Sequence, residues 1–506
     1  MTLPINWLDA FLAVLALFFV KKLIQKRPIH PLPPGPKGLP LVGNVLDVPS
    51  KTPWLTFAKW GEEYGDIFSI KEFGRQTIVI NSASVALSML EKKSLLYSNR
   101  PHLTLAGDLV GWNQSTAFLQ YGVRFREYRK NLYRTIGSRA SLEKYQTLIE
   151  TKFHHFLRNV LNDPSDLAAH IRTAVGSIIL RISHGYEAQN INDPYLKVAD
   201  IAIHYFSITT TAGAFLVDIV PLLRYLPNWF PGTGFKAIAR AGYESLKEMT
   251  DQPHEDVKEK MKTGTALHSF TSELLADRTV SAEEKHIIKW SAQTIYSGGA
   301  DTTVAAIYAF FVAMTLFPEV QKKAQAEIDS VIDNNRLPTT DDREALPYVN
   351  AMVSEVLRWH SLAPLGGAHV AVEDDVHDGY FIPKGSLIVP NIWKMLHDPK
   401  TYRYPAEFDP ERFIASEDKP AETDPRNVCF GFGRRICPGM VLAELSLFIS
   451  CAMVLSVFDI SKCVEDGVPI TPEVGQTEGT ISHPKPFKCS IRVRSEKALF
   501  LIQQDA

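Results

Sequence analysis

From Lys289 to Phe317 the chain reads KWSAQTIYSGGADTTVAAIYAFFVAMTLF, and this run governs what can be built around it. It is apolar nearly all round the helical period, so a helix here has no face to offer water and must be wrapped by other elements. Two adjacent glycines, Gly298 and Gly299, stand at its middle beside Asp301 and Thr302. Glycine inside a helix costs ~1 kcal/mol relative to alanine. Close packing against a neighbouring helix is the plain explanation of that cost.

The rest of the chain fits a helical globule. Helical periodicity dominates from Phe125 to Arg358, and FPEVQKKAQAEIDSVI reads as an amphipathic helix with Pro318 at its start. IFSIKEFGRQTIVI alternates about Phe73-Gly74 as a β-hairpin does, and VHDGYFIPKGSLIVP predicts a second one about Pro383 to Gly385. The loop from Ser416 to Arg426 reads as locally flexible, and there is no internal repeat. The expected class is mainly α with small β-sheets, an α+β fold. At 506 residues the length alone allows about three domains, although single large units occur.

A formal net charge of -2 gives no reason to expect a nucleic-acid partner. The five cysteines (429, 437, 451, 463 and 489) include no CxxC pair and no histidine at zinc spacing, which argues against a disulfide framework or a zinc site. Leu3 to Ile24 approaches the ~20 residues that span a bilayer. Its apolar run, Trp7 to Val20, turns basic at Lys21, Lys22, Lys26 and Arg27, a bias that predicts the bulk of the protein on the cytoplasmic side. The expected division is an uncleaved anchor at 1–24, a basic and proline-rich linker at 25–44, and a single domain at 45–506. A buried amphipathic helix is the competing reading of the first segment.

Near the carboxyl end stands FGFGRRICPG, Phe430 to Gly439. A cysteine ligates metal only as thiolate, and amide donors, helix amino termini and cations are the usual means of favouring that form. Glycines 431, 433 and 439 let amides approach the sulfur, a helix begins near Met440, and Arg435 is free to pair with an anion. Phe430 or Phe432 would shield the sulfur from water. The bland alternative is a glycine-rich turn before a helix.

The spacing Phe430, Gly433, Arg435, Cys437, Gly439 resembles the haem-ligand signature FxxGxRxCxG of the cytochrome P450 family at every position. Further matching segments extend the resemblance over nearly the whole chain. It implies haem b with iron ligated by Cys437, in a pocket to which Phe430, Gly431 and Gly439 belong. GGADTT then implies a local widening of the long helix that admits dioxygen, with Thr302 offering a hydroxyl to it and Asp301 feeding protons inward. Glu355 and Arg358 match the family's ExxR pair, which forms a buried network with the arginine of PERF, here Arg412. Where the family has WxxxR this chain has Phe125 and Arg129, so one indole donor is missing. Arg129, His369 and Arg435 match its haem propionate contacts. Arg126, Lys130 and Arg134 recur every four residues, a stripe that is either a solvated face or a docking surface for NADPH-cytochrome P450 reductase.

The activity so implied is monooxygenation of a lipophilic small molecule with O2 and NADPH-derived electrons, at the endoplasmic reticulum membrane. The style of the sequence resembles fungal enzymes of secondary metabolism, with a terpenoid as first expected substrate and an aromatic or indolic compound as second. Two rivals stay open: a haem-thiolate isomerase or dehydratase that needs no O2, and a non-catalytic membrane haem-binding protein.

Overall fold

The computed structural model describes residues 29–504, apart from 50, 212, 277–278 and 333–334. The expected anchor therefore lies outside the described residues. Seven helices carry the argument: α1 (Val123–Ile136), α2 (Leu167–His184), α3 (Pro194–Thr210), α4 (Phe235–Lys262), α5 (Ala282–Leu316), α6 (Pro347–Trp359) and α7 (Met440–Val457).

The apolar run forms α5, which starts earlier than the run itself because Ser281 and Glu284 cap it reciprocally. It lies inside the main core among α2, α7 and their neighbours. Both α5 and α7 are long and apolar enough to cross a membrane, yet both are mostly buried within the globule, so those properties reflect a core role.

The principal sheet has strand order β1-β2-β6-β3, with β1 (Ile67–Glu72), β2 (Arg75–Ile80), β3 (His369–Val370) and β6 (Leu387–Pro390). The first hairpin turns at Phe73-Gly74 as expected, and both residues have positive φ. The second does not turn at Pro383 to Gly385. The turn is Asp378-Gly379, between β4 (Asp375–His377) and β5 (Tyr380–Ile382), while β6 leaves to pair parallel with β2. Asp-Gly supplies the left-handed pair that a two-residue hairpin requires, and Pro383 cannot.

The proline-rich strap at 31–44 is not helical, as its composition demands, and it docks on the sheet. Ser69 donates from its amide and hydroxyl to the Pro34 and Pro33 carbonyls at 2.7 Å each, and the Phe381 amide donates to Pro31. The 416–426 loop is likewise tied down: Glu422 bonds the backbone and side chain of Arg412 at 2.7 Å each.

Candidate functional site

Cys437 precedes α7 by three residues, and its amide donates to the Phe430 carbonyl at 2.8 Å, closing the glycine-rich loop into a fixed ring. The loop seats tightly because Gly433, at φ +51°, lies so close to the Leu90 carbonyl that a Cβ would stand 2.4 Å from it. The Cys437 side chain is surrounded by protein yet solvent-accessible, so it opens into an internal space rather than into the core. Of the three glycines expected to bring amides to the sulfur, it is Gly439 whose backbone hydrogen-bonds it. The expectation of a favoured thiolate needs correction. Burial pushes the thiol up, and the Gly439 amide and the Arg129 charge offset this only in part. The remaining stabilisation must come from a bound metal ion, which deprotonates a coordinating thiol outright.

Around this sulfur stands a collar of cations. Arg435 is buried and donates to the carbonyls of Ser98, Thr116 and Leu119 at 2.7, 3.1 and 2.5 Å. Arg129 donates to Ile436 at 2.6 Å. Phe125 lies one helical turn before Arg129 on α1, and its ring lies 3.9 Å beneath the Arg435 guanidinium. In place of an indole donor the chain thus has a cation–π floor that orients the arginine.

His369 reaches the collar because β3 pairs with β6 and Asn99 bridges Val370. Its Nδ1 donates to the Tyr97 carbonyl at 2.6 Å. Arg100 is a member that the sequence reading missed, since a lone arginine before a proline has no diagnostic spacing. It donates to Gly367 and Ala368 at 2.5 and 2.8 Å.

These four side chains make all their described hydrogen bonds to backbone carbonyls, and among the described residues no carboxylate pairs with them. Burial first, then repulsion by Arg100 and Arg129, brings Arg435 down to about 8, and burial with the charges of Arg100 and Arg435 holds His369 well below its ordinary value. Such a collar is costly until anions enter it. A flat cofactor carrying two carboxylates and a thiolate-seeking metal satisfies both the collar and the sulfur, so the residues present fit haem.

The helix above answers the glycine question in two ways. A Cβ on Gly299 would stand 2.4 Å from Ile179 Cδ1 of α2, so close packing is the reason for that glycine. A Cβ on Gly298 would meet nothing within 4 Å, and Gly298 is exposed in the middle of a buried helix. The expected widening is not a break in the helix, which is α-helical throughout α5. The room comes from the absent side chain, and Thr302 faces it with its hydroxyl donating to the Gly298 carbonyl at 2.8 Å. Gly298→Ala is therefore expected to leave thermal stability unchanged or about 1 kcal/mol higher. Gly299→Val should cost about 1–3 kcal/mol by overpacking. Thermal denaturation of the two variants side by side checks this.

Asp301 is buried and turned from the open side, where it meets His483, with Nε2 to Oδ2 at 3.0 Å. Sequence alone does not join His483 to Asp301, because a loop histidine so far along the chain has no diagnostic spacing to it. Neighbouring segments are tied together on this side of α5. Hydroxyl pairs join Thr116 to Thr294 at 3.0 Å and Thr210 to Thr480 at 2.7 Å, tying the 101–120 loop to α5 and α3 to the carboxyl-terminal loop.

Glu355 and Arg358, three apart on α6, are fully buried and bonded at 2.6 and 2.8 Å in a fork. Arg412 adds a third contact to Glu355 at 3.1 Å. The three therefore form one network. Arg126, Lys130 and Arg134 lie exposed on the outer side of α1.

The Cytochrome P450 family model matches residues 33–491. Cytochrome P450 monooxygenase 208 of Postia placenta is 52% identical over 497 residues, 98% of this chain and 97% of that protein. Cytochrome P450 monooxygenase claR of Ampulloclitocybe clavipes is 46% identical over 497 residues, with 98% and 92% covered. Cytochrome P450 monooxygenase ppsD of Aspergillus oryzae is 42% identical over 490 residues, with 95% and 92% covered. Likeness of that extent to several full-length fungal monooxygenases leaves one conclusion: this chain belongs to the cytochrome P450 family, oxidoreductases that hold haem iron on a cysteine thiolate.

Proposed function

We propose that the chain hydroxylates a lipophilic small molecule of fungal secondary metabolism, a terpenoid first, with Cys437 as the iron ligand and Asp301 and Thr302 as the proton-delivering pair. The balance is RH + O2 + NADPH + H+ giving ROH, H2O and NADP+. Haem on Cys437 supplies the dioxygen-cleaving chemistry, which a thiolate favours by pushing electron density toward the O–O bond. The chain's own part is to hold the two haem carboxylates on Arg100, Arg129, His369 and Arg435, and to keep a space open at Gly298. Beside that space Thr302 holds a hydroxyl proton and Asp301 holds the supply behind it.

The observation that carries the substrate class is the lining. The segments that converge on Gly298 offer hydroxyls and apolar side chains, and Asp108 in the 101–120 loop is occupied by Arg224 and His102 at 3.0 Å each. Among the described residues of that loop no unpaired carboxylate awaits an ionic substrate. A bilayer source for such a molecule fits the surface. Leu41 and Phe73 are exposed on either side of the bond from the Phe73 amide to Val42, and the segment after α3, whose Asp218 lies near Arg75, exposes Leu216, Leu222, Tyr225 and Trp229. Exposed apolar groups in that number mark an interaction surface.

The anchor at 1–24, the linker at 25–44 and the catalytic domain at 45–506 place this face at the cytoplasmic side of the endoplasmic reticulum. NADPH-cytochrome P450 reductase docks on the Arg126, Lys130 and Arg134 side. The test is product formation under 18O2 in membranes with reductase and a terpenoid panel. One labelled oxygen per product supports the reading, and conversion without O2 rejects it for an isomerase. Thr302→Ala is expected to keep the haem and consume NADPH at a comparable rate while diverting the electrons to hydrogen peroxide. The peroxide-to-product ratio reads this directly, and wild-type yield would remove Thr302 from the mechanism.

A further inference from the structure

Asp301 needs a supply of protons, and the structure shows what stands behind it. His483 is held by its backbone, its amide donating to Thr477 Oγ1 at 2.9 Å and its carbonyl accepting from the Thr477 amide at 2.8 Å. The preceding Ser482 is pinned in turn, its amide to Leu362 at 2.8 Å and its carbonyl to His360 at 3.0 Å. The imidazole is thus aimed at Asp301 by a rigid turn, and its side chain retains 22% exposure against 12% for the Asp301 carboxylate. Beyond it, Asp200 of α3 ion-pairs with Arg172 of α2 at 3.1 Å, both substantially exposed. Asp200 is pushed up, first by burial, with Asp301 raising it further and Arg172 and His483 opposing. The groups facing His483 are therefore Asp301, Asp200, Arg172 and the buried His360, which burial holds down at about 4. Acid, base, acid and cation alternate from the open side of α5 to the surface.

We propose that His483 is the proton relay to Asp301, refilled from solvent at the Asp200–Arg172 edge between α2 and α3. This rests on the reading of Asp301 and Thr302 as the proton-delivering pair. In each transfer the ring gives its Nε2 proton to Asp301 Oδ2 as Asp301 passes one toward Thr302, water protonates Nδ1 on the far side of the ring, and a ring flip turns a protonated nitrogen back to Asp301. The histidine ends each cycle unchanged. A latch that merely pins the carboxyl-terminal loop to α5 would show the same contact, so the test must separate proton transfer from tethering.

His483→Gln does so, because the amide can still donate to Oδ2 but cannot carry a proton onward. The haem-loaded full chain in nanodiscs with reductase is compared with His483→Gln, Asp301→Asn and Thr302→Ala. The expected result for His483→Gln is an unaltered reduced carbon monoxide spectrum with product per NADPH lowered about tenfold. Wild-type coupling should fall as pH is raised and the proton supply thins, while the variant profile is flat.

A second readout does not depend on turnover. In the diamagnetic reduced carbon monoxide form, the ring nitrogen resonance lost in His483→Gln should shift in Asp301→Asn, because the carboxylate oxygen that pairs with Nε2 at 3.0 Å is replaced. Wild-type coupling and pH profile in His483→Gln, with Asp301→Asn and Thr302→Ala uncoupled, overturns the relay alone. An unmoved ring nitrogen resonance in Asp301→Asn also overturns it. Intact coupling in all three variants overturns the underlying reading as well.

Discussion

Cys437→Ala is expected to yield a folded chain that lacks the red-shifted Soret band of the reduced carbon monoxide complex and forms no product above background. The reasons lie in what the sulfur does and does not touch. Its side chain looks into an internal space, so removing it opens no cavity in the core. The backbone bond that closes its loop, from the Cys437 amide to Phe430, does not involve the side chain. The helix α7, the cation collar and the Gly433 seat on Leu90 all persist.

What is lost is the thiolate, since the arginines of the collar hold only donors of hydrogen bonds. Cys429→Ala is the matched control. Its thiol is also pushed well above its ordinary value by burial, first among several causes, but it packs against core residues and its loss should leave the spectrum intact. A thiolate-type band persisting in Cys437→Ala would falsify the assignment. Thermal denaturation of both variants separates ligand loss from unfolding.

The position of Phe125 refines the electrostatic picture. An indole would add one donor toward an anion, whereas the phenyl ring adds none and instead lies under Arg435. His369 makes a complementary adjustment. Because Nδ1 is committed to the Tyr97 carbonyl, neutral His369 has no proton on Nε2 to offer. An anion alongside would raise its titration and restore that proton. The collar is thus pre-set for carboxylates through Arg100 and Arg435 and completed by them at His369.

What could be read from the sequence follows chain proximity. FGFGRRICPG and the α5 run were legible because their meaning is local: periodicity, capping, and glycines spaced around one sulfur. The separate duties of Gly298 and Gly299 were not, because adjacent helical residues point about 100° apart and only the positions of neighbours decide which meets Ile179. Arg100 and His483 were hidden for a different reason. Each reaches the site by a loop whose path is set by distant partners, Val370 for the first and Leu362 for the second. The second hairpin went astray because Pro383 to Gly385 and Asp378-Gly379 are both turn signals. The parallel pairing of β6 with β2 decided between them.

Replacement of Arg358 by Leu is expected to abolish haem incorporation by unfolding the support beneath the ligand loop. All five guanidinium N–H groups are used. Two go to Glu355 at 2.6 and 2.8 Å, two from Nη1 to the Leu396 and Pro405 carbonyls at 3.0 and 2.8 Å, and one to Glu407 at 2.9 Å. Removing the side chain leaves a fully buried carboxylate with Arg412 as its one remaining cation, deprives the Leu396 and Pro405 carbonyls of their donor, and leaves Glu407 with only the longer bond from Arg412 at 3.4 Å. Breaking a buried pair costs about 3–5 kcal/mol, against a total stability of about 5–15 kcal/mol for a typical fold.

Arg358→Lys should rescue little, because an ammonium has three donors and no fork to match Glu355 while reaching Leu396 and Glu407. Glu355→Ala should be equally damaging, since it leaves two buried guanidiniums facing each other. The carbonyls lost from Arg358 belong to the stretch from Leu396 to Glu407, and Arg412 ties that stretch through Arg403 and Glu422 to the loop that runs directly into Phe430. Haem content per folded chain and thermal denaturation, with Thr302→Ala as a variant expected to keep both, provide the measurement. An Arg358→Leu protein with full haem content and an unchanged melting midpoint would show that the network does not hold the ligand loop.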